Sequence, residues 1–154
     1  MFRKVRAIHV AVNDLDKAVK LYQDNFGMEV SRGGTVPALG IKNAFLPVGE
    51  AVIELIEPLD KEQGPVSRFL KNRGEGIYMI AMEVDNIDIA LKSLRERGVR
   101  IVGDDPASRA KGLPVFIHPQ STRGILIELV ELPNGASRRK AASQSVSRPT
   151  LQGA

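Results

Sequence analysis

Ala7-Ile8-His9-Val10-Ala11-Val12-Asn13-Asp14-Leu15-Asp16 lies over Met79-Ile80-Ala81-Met82-Glu83-Val84-Asp85-Asn86-Ile87-Asp88 at an offset of 72, and the overlay continues as Ala18 over Ala90 and Lys20 over Lys92. Further along, Ile53-Glu54-Leu55-Ile56-Glu57 lies over Ile127-Glu128-Leu129-Val130-Glu131 at an offset of 74, and Phe45 and Phe116 open the corresponding hairpins. Self-similarity of this kind marks a repeat architecture. The chain reads as two modules of one plan, 1–60 and 76–133, with a linker at 61–75 and a tail at 134–154.

Each module opens on an apolar-rich run that suits a strand, 5–12 and 77–84, and an Asn/Asp pair then supplies an N-cap. Leu15, Ala18, Val19 and Tyr22 recur at helical spacing before Gly27, as Ile87, Ala90, Leu91 and Leu94 do before Gly98. Three strand-like runs follow in each module: 28–32, 41–47 and 50–57, then 99–103, 113–118 and 124–131. The linker carries a short helix around Val66, Phe69 and Leu70. The order β-α-β-β-β, twice, predicts an α+β fold. Neither module alone buries both faces of its sheet, so the two are expected to pack into one curved mixed sheet around a cavity.

Composition narrows the function classes. The 154 residues are 43% hydrophobic and 26% charged, which suits an ordinary globular protein rather than a fibre or a coiled coil. No run approaches the ~20 apolar residues of a membrane span, and no apolar signal core follows the basic start, so a cytoplasmic protein without membrane contact is expected. With no cysteine, disulfides, thiolate metal sites and cysteine nucleophiles are excluded. The net charge of +4 belongs to the tail, whose Arg138, Arg139, Lys140 and Arg148 face no acidic residue; the other 18 basic residues balance 18 acidic ones. That tail reads as a solvated, disordered extension. With two Tyr, five Phe and no Trp, the body offers no aromatic platform in a basic patch, and no nucleic-acid partner is expected.

A paired β-α-β-β-β module with Glu near the end of each half resembles the vicinal oxygen chelate superfamily, which includes glyoxalase I, extradiol dioxygenases, bleomycin-resistance proteins and acyl-CoA epimerases. Within it the sequence is most similar to the methylmalonyl-CoA epimerase family. The likeness is carried by Ile8 to Leu15, Ala44-Phe45-Leu46-Pro47-Val48-Gly49-Glu50, Ile53-Glu54-Leu55-Ile56-Glu57-Pro58-Leu59, Arg73-Gly74-Glu75-Gly76-Ile77 and Phe116-Ile117-His118-Pro119-Gln120-Ser121-Thr122. The resemblance implies an isomerase that moves a proton at the α-carbon of a small acyl-CoA or related carbonyl substrate. It also implies a divalent cofactor such as cobalt, manganese, zinc or nickel, and a homodimer.

Matched residue by residue, the resemblance puts the two metal-binding histidine positions at Ala7 and Met79, the acidic ligand positions at Glu54 and Glu128, and a glutamate base at Asn43. Ala7 has no donor atom, and a thioether is a poor ligand for hard ions, so no tightly bound metal of the family type is expected. One alternative donor set remains. His9 lies two residues after Ala7 and so shares its strand face, where with Glu54 and Glu128 it would form a three-ligand site, or else simply narrow the cavity. His118, in a Phe-Ile-His-Pro turn, is assigned a turn or surface role. Arg109 and Lys111 lie in second-module loops where the resemblance suggests a coenzyme A phosphate.

Glu54 and Glu128 each interrupt an apolar run, and carboxylates on such a face are costly unless paired, hydrogen-bonded or protonated. They read either as solvated outer-face residues, or as inward-facing catalytic carboxylates forming a dyad with one raised pKa. The expected substrate-binding set is His9, Asn43, Met79, Arg109 and Lys111. Three readings follow: an epimerase-like enzyme, a metal-free binding protein of the bleomycin-resistance type, and a metal-independent lyase or isomerase using Glu54 and Glu128.

Overall fold

The computed structural model describes residues 1–131, so the tail expected at 134–154 lies outside the described residues. The first module comprises β1 (Phe2–Ala11), α1 (Leu15–Phe26), β2 (Arg32–Val36), β3 (Ile41–Val48) and β4 (Ala51–Pro58). Helix α2 (Pro65–Arg73) follows. The second module runs through β5 (Gly76–Val84), α3 (Ile87–Glu96), β6 (Ile101–Val102), α4 (Pro106–Ala110), β7 (Val115–Ile117) and β8 (Leu126–Glu131). All eight strands form one mixed sheet in the order β2-β3-β4-β1-β5-β8-β7-β6. The modules meet in the middle, where β1 and β5 pair antiparallel; β1 pairs parallel with β4, and β5 with β8. The α+β fold with two β-α-β-β-β modules in one curved sheet is the one expected from the repeat.

The helices form where the local chemistry directs. Asp14 caps α1 by accepting the Lys17 N–H at 3.0 Å, and Asn86 caps α3 by accepting that of Ile89 at 2.9 Å. A second device, repeated between modules, ties each helix to its own last strand. The Leu15 N–H donates to Glu57 of β4 at 2.7 Å, and the Ile87 N–H donates to Glu131 of β8, also at 2.7 Å. Burial alone would raise the Glu57 carboxyl, but hydrogen bonds from Lys61, Lys42 and the Leu15 N–H outweigh it and hold the group below its usual range. A depressed native pKa gives stability that is present above the unfolded carboxylate range and lost as pH falls through the native value. Glu57→Gln is therefore expected to lower unfolding stability by about 1.5–3 kcal/mol at pH 7, the range for a hydrogen bond to a charged group. Urea titrations should show the gap from wild type closing below about pH 4, near the ordinary carboxylate value.

The sheet has two differently used faces. On the outer face, Leu15 and Val12 pack with Ala44, Leu46 and Leu55 in the first module, and Ala90, Leu91 and Leu94 pack with Val84, Val115, Ile117 and Leu129 in the second. On the inner face α2 covers one end only, where Val66 meets Ala11, Ile41 and Ile56, and Phe69 sets its edge against Tyr78 with centroids 5.3 Å apart. The rest of that face is the trough that holds the candidate site.

Two sequence assignments change. The strand expected at 28–32 lies at Arg32–Val36, since the turn through Pro37–Leu39 pairs Val36 with Ile41 and fixes the register. Gly33 and Gly34, poor strand formers, are accommodated there, and a Cβ on Gly33 would stand 2.5 Å from the Asn43 carbonyl oxygen. Arg109, assigned to a loop, is in α4, whose Asp105 N-cap and Pro106 at the first turn are the start signal that composition alone obscured.

Candidate functional site

Strand register determines what the trough displays. His9 on β1 is opposite Glu54 on β4, Glu54 is opposite Phe45 on β3, and Phe45 is opposite Arg32 on β2. On the other side His9 is opposite Met79 on β5, and Ala81, two residues on, is opposite Glu128 on β8. Residues opposite one another in a sheet share a face. Both glutamates thus turn inward, while Ile53, Leu55, Ile127 and Leu129 turn to the helices on the outer face. An apolar alternation that looks like one buried face is in fact a sheet buried on both, one against helices and one in the trough.

The glutamates do not meet as a dyad. The ring of His9 stands between them, with Nδ1 3.0 Å from Glu54 Oε2 and Nε2 3.8 Å from Glu128 Oε2. The other oxygen of Glu54 accepts a hydrogen bond from Asn43 Nδ2 at 2.8 Å. His9, Glu54 and Asn43 are each under one tenth exposed. Nδ1 of the imidazole thus faces Glu54, which Asn43 holds, and Nε2 faces Glu128. That Nε2 is buried and has no hydrogen-bond partner. A buried polar atom without a partner is costly, and such atoms gather where a ligand or a transferred proton completes them. Burial pushes the Glu128 carboxyl above its usual range; the neighbouring His9 opposes the shift and Glu54 adds to it. Its side chain keeps 21% exposure against 9% for His9 and 9% for Glu54, so of the three it opens furthest to the trough.

The donor set does not fit a single divalent ion of the family type. A histidine binds an ion through one ring nitrogen, and the two nitrogens direct their lone pairs away from each other. With Glu54 on the Nδ1 side and Glu128 on the Nε2 side, the ring separates the carboxylates, and one ion cannot be held by all three side chains. Met79, opposite His9, brings a soft thioether, and Ala7 brings no donor.

The remaining sequence candidates divide. Asn43 holds Glu54, and Met79 stands opposite His9. Arg109 instead lies between β6 and β7, the outermost strands of the second module, where its guanidinium is 2.7 Å from Asp88 and 3.2 Å from Asp104. Asp104, nearly buried, also pairs with Arg95, so Arg109 fastens α4 to α3. Lys111 caps the C-terminus of α4. His118 Nδ1 accepts the Gln120 N–H at 3.1 Å and starts a single 3₁₀ turn, the turn role expected of it. Arg32 and Phe45 stand in cross-strand line with Glu54, an alignment that needs the Val36–Ile41 register set by the 37–40 turn. Among the described residues, no helix is long and apolar enough to cross a membrane.

Comparison with known proteins agrees with the fold. A model of the glyoxalase/bleomycin resistance protein/dioxygenase superfamily matches residues 7–116. The mitochondrial methylmalonyl-CoA epimerase of Bos taurus is 36% identical over 128 residues, 82% of this chain and 73% of that protein. The crystal structure of methylmalonyl-CoA epimerase from Mycobacterium tuberculosis superposes with a TM-score of 0.70 at 35% identity, covering 84% of this chain and 87% of that one. A solved methylmalonyl-CoA epimerase in complex with methylmalonyl-CoA and NH4+ superposes with a TM-score of 0.74 at 26% identity, covering 87% of this chain and 97% of that one.

Proposed function

The chain belongs to the glyoxalase/bleomycin resistance protein/dioxygenase superfamily, and from that membership we propose an epimerase-like isomerase that moves the proton next to the thioester carbonyl of an acyl-CoA without a family-type metal. Its relatives are isomerases, and one of them is solved with an acyl-CoA bound. The observation that carries the metal-independent part is the orphaned Nε2 of His9 facing the raised carboxyl of Glu128.

Glu128 is the group that meets the substrate carbon. A raised pKa makes its carboxylate a stronger base, which removal of a weakly acidic α-proton requires. The C–H bond breaks, its electron pair moves into the enolate, and the proton goes to Glu128. The Nε2 lone pair of His9 takes that proton on, and the imidazolium so formed lies between two carboxylates that stabilise it. Glu54 and Asn43 act through His9, fixing its tautomer and orientation. The enolate is planar: return of the proton through Glu128 restores the starting configuration, and delivery by water from the open side of the trough inverts it, the hydroxide so formed being neutralised by the proton that His9 and Glu128 release. The homodimer belongs to this same reading and rests on the family alone.

The test is proton NMR of a 2-methylmalonyl-CoA thioester in D2O with catalytic amounts of protein. Protein-dependent loss of the C2 proton signal is the expected result. Thermal stabilisation by the thioester with no exchange over many hours would replace the enzyme with a binding protein.

A further inference from the structure

We infer that the floor of the trough over Ala7 seats the alkyl branch on the substrate's α-carbon, so that Ala7 sets how large a branch is accepted; the inference rests on the acyl-CoA reading above. The cross-strand row next to that of His9 runs Glu128, Ala81, Ala7, Val52. Opposed residues share a face, so all four turn to the trough. Between the carboxylate of Glu128 and the side chain of Val52, two successive strands therefore bring a single methyl group each.

The two alanines serve differently. His9 on β1 and Glu128 on β8 are separated by β5, yet their side chains meet across it, with Nε2 3.8 Å from Oε2. Ala81, the β5 residue opposite Glu128, is buried, and its short side chain leaves that span clear. Ala7 lies one strand further, at the centre of the sheet, and is only partly buried, so the trough reaches down to it. The group aimed over this shallow floor is His9 Nε2, on a residue more than nine-tenths buried, without a hydrogen-bond partner and facing Glu128. A substrate that completes that nitrogen and meets Glu128 lies directly beside Ala7. The dimensions suit a short branch. His9, two residues after Ala7, closes one end about 6–7 Å along the strand. Glu83, two residues after Ala81, closes the other with Arg6 at 3.6 Å, and the register shift between Val5 and Ala7 leaves Arg6 outside the paired residues. Ala7, Ala81 and Val52 bring no polar side-chain atom, so the floor suits hydrocarbon such as methyl or ethyl, and a hydroxyl or amine there would lose its hydrogen bonds. A branch held in this place keeps one face of the planar enolate toward Glu128 and the other toward the open trough.

The test is C2 proton exchange in D2O, followed by proton NMR with spontaneous exchange subtracted, for malonyl-CoA, methylmalonyl-CoA and ethylmalonyl-CoA. These differ only in the branch. Ala7→Val fills the floor with a residue that strands favour. It is expected to lower kcat/KM for ethylmalonyl-CoA relative to malonyl-CoA by about 10–200-fold, the range by which a small apolar pocket discriminates one methylene, with methylmalonyl-CoA between them. Ala7→Gly, which deepens the floor, should move the same ratio the other way, and it reads the effect independently of any loss of folding in Ala7→Val. An equal fall for all three thioesters, or a ratio unchanged in both variants, would overturn the inference and leave the proposed function standing. Wild type that exchanges none of the three would overturn both.

Discussion

Glu128→Gln is expected to lower the rate of α-proton exchange by about 10²–10⁴-fold, the usual contribution of a positioned acid/base group, while acyl-CoA binding persists. The same variant should be more stable than wild type at pH 7. Glu128 has a native pKa raised by burial, so from the unfolded carboxylate range upward the folded state either holds a proton that the unfolded chain releases or carries a buried charge. Both disfavour the native state as pH rises. Glutamine keeps the shape and removes the penalty, so its advantage in thermal unfolding should be present at pH 7 and disappear below about pH 4. A single substitution that stabilises the fold and abolishes exchange would mark Glu128 as a residue kept for chemistry. Loss of stability at pH 7 would contradict that assignment.

His9→Ala produces the second large effect. It removes the ring between two inward carboxylates and leaves Glu54 its hydrogen bond from Asn43. Exchange should fall about 10²–10⁴-fold. Unfolding stability should fall by about 1–3 kcal/mol at pH 7, as expected for a buried acceptor that loses its partner. The cavity has the shape of imidazole, and millimolar imidazole should restore part of the exchange rate while acetate does not. Restoration requires a ring nitrogen at the Nε2 position, which a merely space-filling role for His9 would not need. Equal activity in His9→Ala and wild type would reduce His9 to a residue that narrows the trough.

The fold was legible because it is written twice. The overlay of 7–16 on 79–88 and of 53–57 on 127–131 carries the strand, helix and hairpin plan, and Asn13-Asp14 and Asp85-Asn86 mark the helix starts. The site was legible residue by residue and obscure as a constellation. His9, Glu54, Glu128 and Asn43 stand out from their own strands, but that a ring lies between the carboxylates depends on β1 pairing with β4 and β5 at once. Single-strand alternation gives a face and not a register across strands. The same limit hid Arg32 and Phe45, whose alignment with Glu54 depends on a turn four residues long. Arg109 shows the same limit from another side: a basic residue near a turn resembles a phosphate contact, and its ion pairs with Asp88 and Asp104 depend on how α4 packs against α3. Glu57 and Glu131 hold the helices to the sheet near the ends of their modules, a structural use that a search for catalytic carboxylates passes over.

If Glu128 and His9 move the proton, no family-type ion is required for exchange. Deuterium incorporation at C2 of a methylmalonyl-CoA thioester, followed by NMR, decides the matter on protein stripped with EDTA and assayed with and without added Co²⁺. Exchange at the same rate in both samples, lost in Glu128→Gln, is the predicted result. Exchange that appears only when cobalt is restored would mean that the side chains rearrange around an ion, and would contradict a proton path running through Glu128 and His9 alone.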